Sequence, residues 1–111
     1  MAQPHAASGE VVSVLPLGAA LGGARTHALI KAGQLEVVRI VLPAGQQLRK
    51  HSAPGEITVQ CLEGRVEFDL PGSTLTLGAG DWLHLQRGEP HALRALDDCS
   101  LLVTLCIEGP R

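Results

Sequence analysis

The chain has 111 residues, a formal charge of -2, no tyrosine, and one residue each of phenylalanine and tryptophan. That length gives one domain, large enough to bury a core without disulfides or a structural metal. Basic residues are scattered apart from Arg49-Lys50, and two aromatics supply no base-stacking platform, so nucleic acid is excluded as an expected partner.

Residues 1–9 read as a flexible arm, and residues 10–111 as a single domain. The arm lacks the basic segment and apolar core of a signal peptide, and no later apolar run approaches a membrane span. The expected location is therefore the cytoplasm, with no membrane partner. Residues 10–15 alternate weakly and stop at Pro16, as a short strand does. A Gly-rich loop over 17–24 leads to a strand over 25–31, a turn at 32–34 and a longer strand over 35–42. The nearly continuous apolarity of that strand predicts cover on both faces.

After a stop at Pro43-Ala44-Gly45, residues 48–51 form an extended lead-in, Pro54-Gly55 a turn, and 56–62 a strand closing at Glu63-Gly64. Val66, Phe68 and Leu70 alternate with Arg65, Glu67 and Asp69, the period of a half-buried strand. A turn at 71–73 returns the chain through residues 74–77 with the same alternation. Further strands follow over 81–86, 91–96 and 101–107, separated by a loop at 87–90 and a turn at Asp97-Asp98, with a polar tail at the end. About nine or ten short strands, punctuated by turns and without helical periodicity, specify an all-β fold, an antiparallel sandwich or barrel.

Three cysteines, Cys61, Cys99 and Cys106, make an odd number without CxxC spacing, which argues for buried thiols over a disulfide framework or zinc knuckle. Ser52 adjoins His51, but strand neighbours face opposite ways and no aspartate completes a triad. No carboxylate pair is spaced for sugar hydrolysis.

Two stretches place a histidine between glycine-marked turns and apolar runs: Gly45, His51 and Gly64 in the first, Gly80, Gly88 and His91 in the second. Their spacing resembles the two motifs of the cupins over roughly residues 25–107. The resemblance implies an antiparallel double-stranded β-helix, or jelly-roll barrel, with both histidines in its interior. Cupins offer three histidines and a glutamate to a divalent metal. Here Ala53 stands at the second histidine place, Ile57 at the glutamate place, Gln86 at a proline place and Ala95 at an asparagine place. Two of the four metal ligands therefore remain.

Strand parity sorts the neighbours: Ile57, Val59 and Cys61 share one face, and Glu56, Thr58 and Gln60 the other, unless a bulge at Pro54-Gly55 re-aims Glu56. The candidate ligand-binding set is His51, His91, Gln60 and Cys61. The candidate metal set is His51, His91 and Glu56, for iron, manganese, nickel, copper or zinc. Arg49-Lys50 and Arg87 are expected on a solvated rim, and His84, sharing a face with Trp82, on an outer sheet where a cupin meets its dimer partner.

The leading expectation is a stand-alone cupin that binds a small molecule in an aliphatic pocket and forms a homodimer over the edges of its N- and C-terminal strands. The resemblance also implies an alternative, a metal-dependent dioxygenase, isomerase or lyase. A non-catalytic sensor and a structural dimer with a vestigial pocket are further alternatives.

Overall fold

The computed structural model describes residues 5–107. The expected arm over 1–9 and the polar tail lie partly outside the described residues, which include nine strands. These are β1 (His27–Lys31), β2 (Leu35–Leu42), β3 (Gln47–His51), β4 (Ile57–Glu63), β5 (Arg65–Leu70), β6 (Ser73–Gly78), β7 (Trp82–Leu85), β8 (His91–Ala95) and β9 (Cys99–Cys106). They form a five-stranded sheet in the order β1-β2-β9-β4-β7 and a four-stranded sheet in the order β3-β8-β5-β6, every pairing antiparallel. This is the all-β antiparallel fold expected from the alternation of short strands and turns, in the jelly-roll form that the motif resemblance implies.

Each sheet turns one row of alternate side chains toward the other, which is why apolar residues two apart make up the core. Ile57, Val59 and Cys61 of β4, Val66 and Phe68 of β5, and Leu101 and Val103 of β9 are all buried there. Pro71-Gly72 turns β5 into β6, with Gly72 at φ 79°, a left-handed value that glycine adopts without a Cβ penalty. Gly64 is more constrained. At φ 77°, an added Cβ would overlap the Asp98 carbonyl and lie 2.7 Å from Cys99 Cβ.

Two sequence expectations are corrected. Residues 10–15 do not form a strand; they run as extended coil, with Val11 94% and Leu15 74% exposed, into a 3-10 turn at Gly18–Gly23. The weak apolar alternation there had no sheet edge to join. The last strand, β9, is not an edge: it lies between β2 and β4 and pairs with both. The edges are β1 and β7 in one sheet and β3 and β6 in the other.

The N-terminal segment is held against the outer face of the five-stranded sheet by a polar cluster. A bulge between Cys61 and Glu63 sets Glu63 opposite Ser100. Strict alternation would have turned Glu63 inward with Cys61; the extra residue sends it out. Its carboxylate accepts hydrogen bonds from the Ser100 hydroxyl at 2.6 Å, the Leu17 amide at 3.0 Å and the Gly18 amide at 3.1 Å. Arg39 Nη2, 3.1 Å from the same carboxylate, also donates to the Leu15 carbonyl at 2.8 Å. Arg39 is 4% exposed, so its charge needs this partner.

Replacing Glu63 by alanine should cost about 3–5 kcal/mol, because it leaves the Arg39 charge buried and uncompensated; urea unfolding would measure the loss. Burial raises the Glu63 carboxyl, but the bonds from Ser100, Leu17, Gly18 and Arg39 outweigh it and hold the group below its usual range. A carboxyl depressed on folding contributes fully above about pH 4.3, and that contribution is lost as the pH falls toward the folded value. The Glu63→Ala variant should therefore lose less stability than the wild type between pH 5 and pH 3.

Candidate functional site

His51 ends β3 and His91 begins β8, and the two residues are direct cross-strand partners. Their meeting depends on an irregularity in β3. Leu48 lies opposite Leu93 and His51 opposite His91, so three residues of β3 span what two residues of β8 span. Plain alternation from Leu48 would turn Lys50 inward and His51 out. The extra residue at Arg49-Lys50 brings both Leu48 and His51 to the interior face. The rings are 4.2 Å apart between centroids and tilted by 60°.

Each imidazole is fixed by the backbone two residues before it. His51 Nδ1 lies 2.8 Å from the Arg49 carbonyl, and His91 Nδ1 lies 3.1 Å from the Glu89 carbonyl. A carbonyl can only accept, so both Nδ1 atoms carry the proton and the neutral rings present a lone pair at Nε2. His51 is exposed at the mouth, whereas His91 is only 4% exposed and has Phe68 at 6.4 Å between centroids. Among the described residues the one sealed side-chain polar atom without a partner is Arg39 Nε, so His91 Nε2 keeps access to the space before it.

That space is a cavity of about 330 Å³ between the sheets. Val38 and Ile40 of β2, Leu48 of β3, Ile57 and Val59 of β4, Phe68 of β5, Leu93 of β8, and Val103 and Leu105 of β9 form its walls. His51, Ser52, Ala53, Pro54, His91 and Glu36 complete the lining. A wider groove of about 930 Å³ lies along the N-terminal segment, away from both histidines.

The other candidates from the sequence lie elsewhere. Gln60 pairs with Trp82 and Leu102, whose side chains belong to the outer face, and it does not line the cavity. Cys61 has the inward parity but is fully buried, with its thiol 3.5 Å from the Glu63 carbonyl and 3.4 Å from that of Gly64. Burial also pushes that thiol up, away from the thiolate a metal would need. No bulge re-aims Glu56: its carboxylate accepts from His84 Nε2 at 2.7 Å, with both side chains substantially exposed. Arg49 and Lys50 face an outer groove shared with Glu67 and Asp69, a solvated surface of mixed charge.

Glu36 went unnoticed in the sequence. It lies on the cavity lining by the same two-residue step that places Val38 and Ile40 there, a signal masked by the apolar run that follows it. Among the described residues no three His, Cys, Asp or Glu side chains converge in a way that could hold a metal ion. The donor set here, two Nε2 atoms with no third ligand, does not fit the four-ligand metal centre that the motif resemblance implies.

The family model for the cupin domain matches residues 38–108. The chain belongs to the cupin family. Solved structures similar to this cupin include a conserved protein of unknown function from Streptococcus pyogenes, 24% identical, covering 100% of this chain and 99% of that one at a TM-score of 0.75. An RmlC-like cupin protein from Desulfovibrio desulfuricans is 26% identical over 87% of this chain and 96% of its own, at a TM-score of 0.73. A cupin superfamily protein from Desulfitobacterium hafniense is 14% identical, covers 89% and 100% respectively, and has a TM-score of 0.74. No curated protein matches the chain in sequence. At these identities the likeness establishes the barrel and leaves its chemistry to the residues in it.

Burial lowers the His91 imidazole from its ordinary value; the Glu89 carbonyl pulls it back in part, and neighbouring His51 lowers it further. The unfolded chain therefore binds more protons than the folded one just below about pH 6.5, and stability should fall as the pH drops through that region. Urea unfolding between pH 7.5 and 5.5 should show this slope, and His91→Gln should flatten it.

Proposed function

We propose that this cupin binds a small, largely apolar molecule in the cavity between its sheets, with Nε2 of His51 and of His91 as the polar contacts. The observation that carries the reading is the pairing itself. Two imidazoles face each other at 4.2 Å, each with Nδ1 bonded to its own backbone, so that Nε2 is the polar atom each ring has left for an occupant. An apolar enclosure with a few fixed polar groups at one end is the usual build of a small-molecule site. The role is binding; the site offers no nucleophile held by a base, and the metal ligand set is short of donors.

The test is a thermal-shift screen of small organic compounds on the intact chain. Ligands should raise the melting temperature of the wild type, and the rise should disappear in His51→Ala, His91→Ala and Val103→Phe, the last of which fills the cavity and leaves both rings in place. Metal analysis after gentle purification is the check on the metal-dependent alternative. Near-stoichiometric iron, manganese, nickel, copper or zinc, lost in His51→Ala, would replace the binding reading with an enzymatic one.

The same proposal includes a homodimer, supported by Trp82, 60% exposed on the edge strand β7, since a large exposed aromatic beside an open edge suits a two-fold contact. Sedimentation velocity should give a dimer that Trp82→Glu weakens at least tenfold; a wild-type monomer at micromolar concentration would refute it. A reducing compartment such as the cytoplasm is in keeping with the free thiols of Cys61 and Cys99. Among the described residues no helix is long and apolar enough to cross a membrane.

A further inference from the structure

We propose that the occupant of this cavity is a small aliphatic primary amine bound as its ammonium ion, with Nε2 of His51 and of His91 accepting its N–H groups and the Glu36 carboxylate on the same lining opposing its charge. This inference rests on the binding reading above and names its ligand class. It follows from what the lining offers. Each Nδ1 donates to a backbone carbonyl, at 2.8 Å for His51 and 3.1 Å for His91, so both rings turn a lone pair and no donor toward the space. His91 is only 4% exposed, and no hydrogen bond within the described residues engages its Nε2. An occupant therefore has to bring the hydrogens.

Register places Glu36 at the same end of the barrel as the two rings. Glu36 lies opposite Leu105, and Leu105 opposite Ile57, so the three form one row across the five-stranded sheet, where β2 and β4 begin and β9 nears its end. Residues 52–56 carry the chain from His51 straight to Ile57, and Ser52, Ala53 and Pro54 line the mouth on the way. The Gly88 amide donates to the Ala53 carbonyl at 2.9 Å, which ties the loop leading to His91 against that connection. Among the described residues no hydrogen bond or ion pair engages the Glu36 carboxylate, and no lysine or arginine lines the cavity. Lys31, its cross-strand neighbour on β1, is exposed, and Arg49 and Lys50 face the outer groove.

A carboxylate and two acceptor nitrogens on one lining repel an anion, and a neutral ligand leaves the carboxylate uncompensated. An ammonium supplies three N–H donors and one positive charge, which matches that set. The three groups do not converge closely enough to hold a metal ion, whose ligands stand about 2 Å away. An ammonium is larger: its hydrogen bonds run to about 2.7–2.9 Å, and its attraction to a carboxylate across the mouth needs no contact. The rest of the cavity selects the tail. Val38, Ile40, Val59 and Val103 offer nothing to the hydroxyls of a sugar or polyol, which would lose their hydration without replacement. At about 330 Å³ the space is at the small end of ligand sites, which suits a short branched chain.

Isothermal titration of the intact chain with 3-methylbutylamine decides the matter, run at pH 7.5 beside 3-methylbutan-1-ol and 3-methylbutanoate, which carry the same branched tail. An alkylamine, like the lysine side chain with its pKa of about 10.4, is the ammonium at this pH. We expect the amine to bind at least tenfold more tightly than the alcohol or the acid. Glu36→Gln, which keeps the shape and removes the charge, should weaken the amine at least tenfold and erase its preference over the alcohol. His51→Ala and His91→Ala should each weaken it as well, and Val103→Phe should abolish binding. An alcohol or acid that binds as tightly as the amine, or an amine whose affinity survives Glu36→Gln, overturns this inference; where that binding is lost in Val103→Phe, the binding reading stands. Binding unaffected by Val103→Phe, or no binding by any of the three compounds, overturns this inference and counts against the cavity as the ligand site as well.

Discussion

The site depends on one extra residue in β3. Backbone pairing between β3 and β8 fixes which residues sit opposite, and a regular ladder running on from Leu48 would have sent His51 to solvent and Lys50 into an apolar interior. A buried lysine without a partner is far costlier than a local break in the ladder. The irregularity at Arg49-Lys50 leaves both cations outside and brings Leu48 and His51 in. The same break leaves the Arg49 carbonyl in place to accept from His51 Nδ1. One departure from ideal geometry thus selects the orientation, the tautomer and the neighbour of the ring.

The second bulge, in β4, works in the opposite direction. It takes Glu63 out of a core that could not solvate it and delivers it to Arg39 and Ser100 on the far side of the sheet. Polar chemistry is thereby divided between the two faces. On one face the imidazoles of His51 and His91 meet aliphatic walls; on the other a compensated ion pair fastens the N-terminal segment through Leu15, Leu17 and Gly18. The cavity remains apolar because the charges needed to hold that segment have been moved away from it.

Much of this was legible in the sequence, and the misses have physical causes. Alternation in residues 65–70 and 74–77 and the glycines at turns were enough for an antiparallel sandwich or barrel, because each is a local signal of a period-two backbone, and the resemblance of the spacing around His51 and His91 to the cupin motifs narrowed it to a jelly roll. Residues 10–15 misled because weak alternation does not say whether a neighbouring strand is there to pair with. The edge role expected of the last strand failed because strand order is a long-range property. Glu36 was hidden by the valines after it, and the bulges were invisible because they arise from the balance of burial costs across a pair of strands. His51 and His91 meeting across two strands is consistent with the motif spacing, while Gln60, Cys61 and Glu56 are occupied or directed elsewhere.

The position of β9 has a bearing on how the chain folds. The turn at Pro71-Gly72 lets β5 and β6 zip together from contacts close in sequence, and that hairpin can form while the chain is still being made. The five-stranded sheet has no such shortcut. β2 and β4 are not neighbours in it, and the strand that joins them is assembled from residues 99–106. The wall carrying Val38 and Val59 therefore cannot close until that segment is in place, and until then the facing edges of β2 and β4 are open to pairing with other chains.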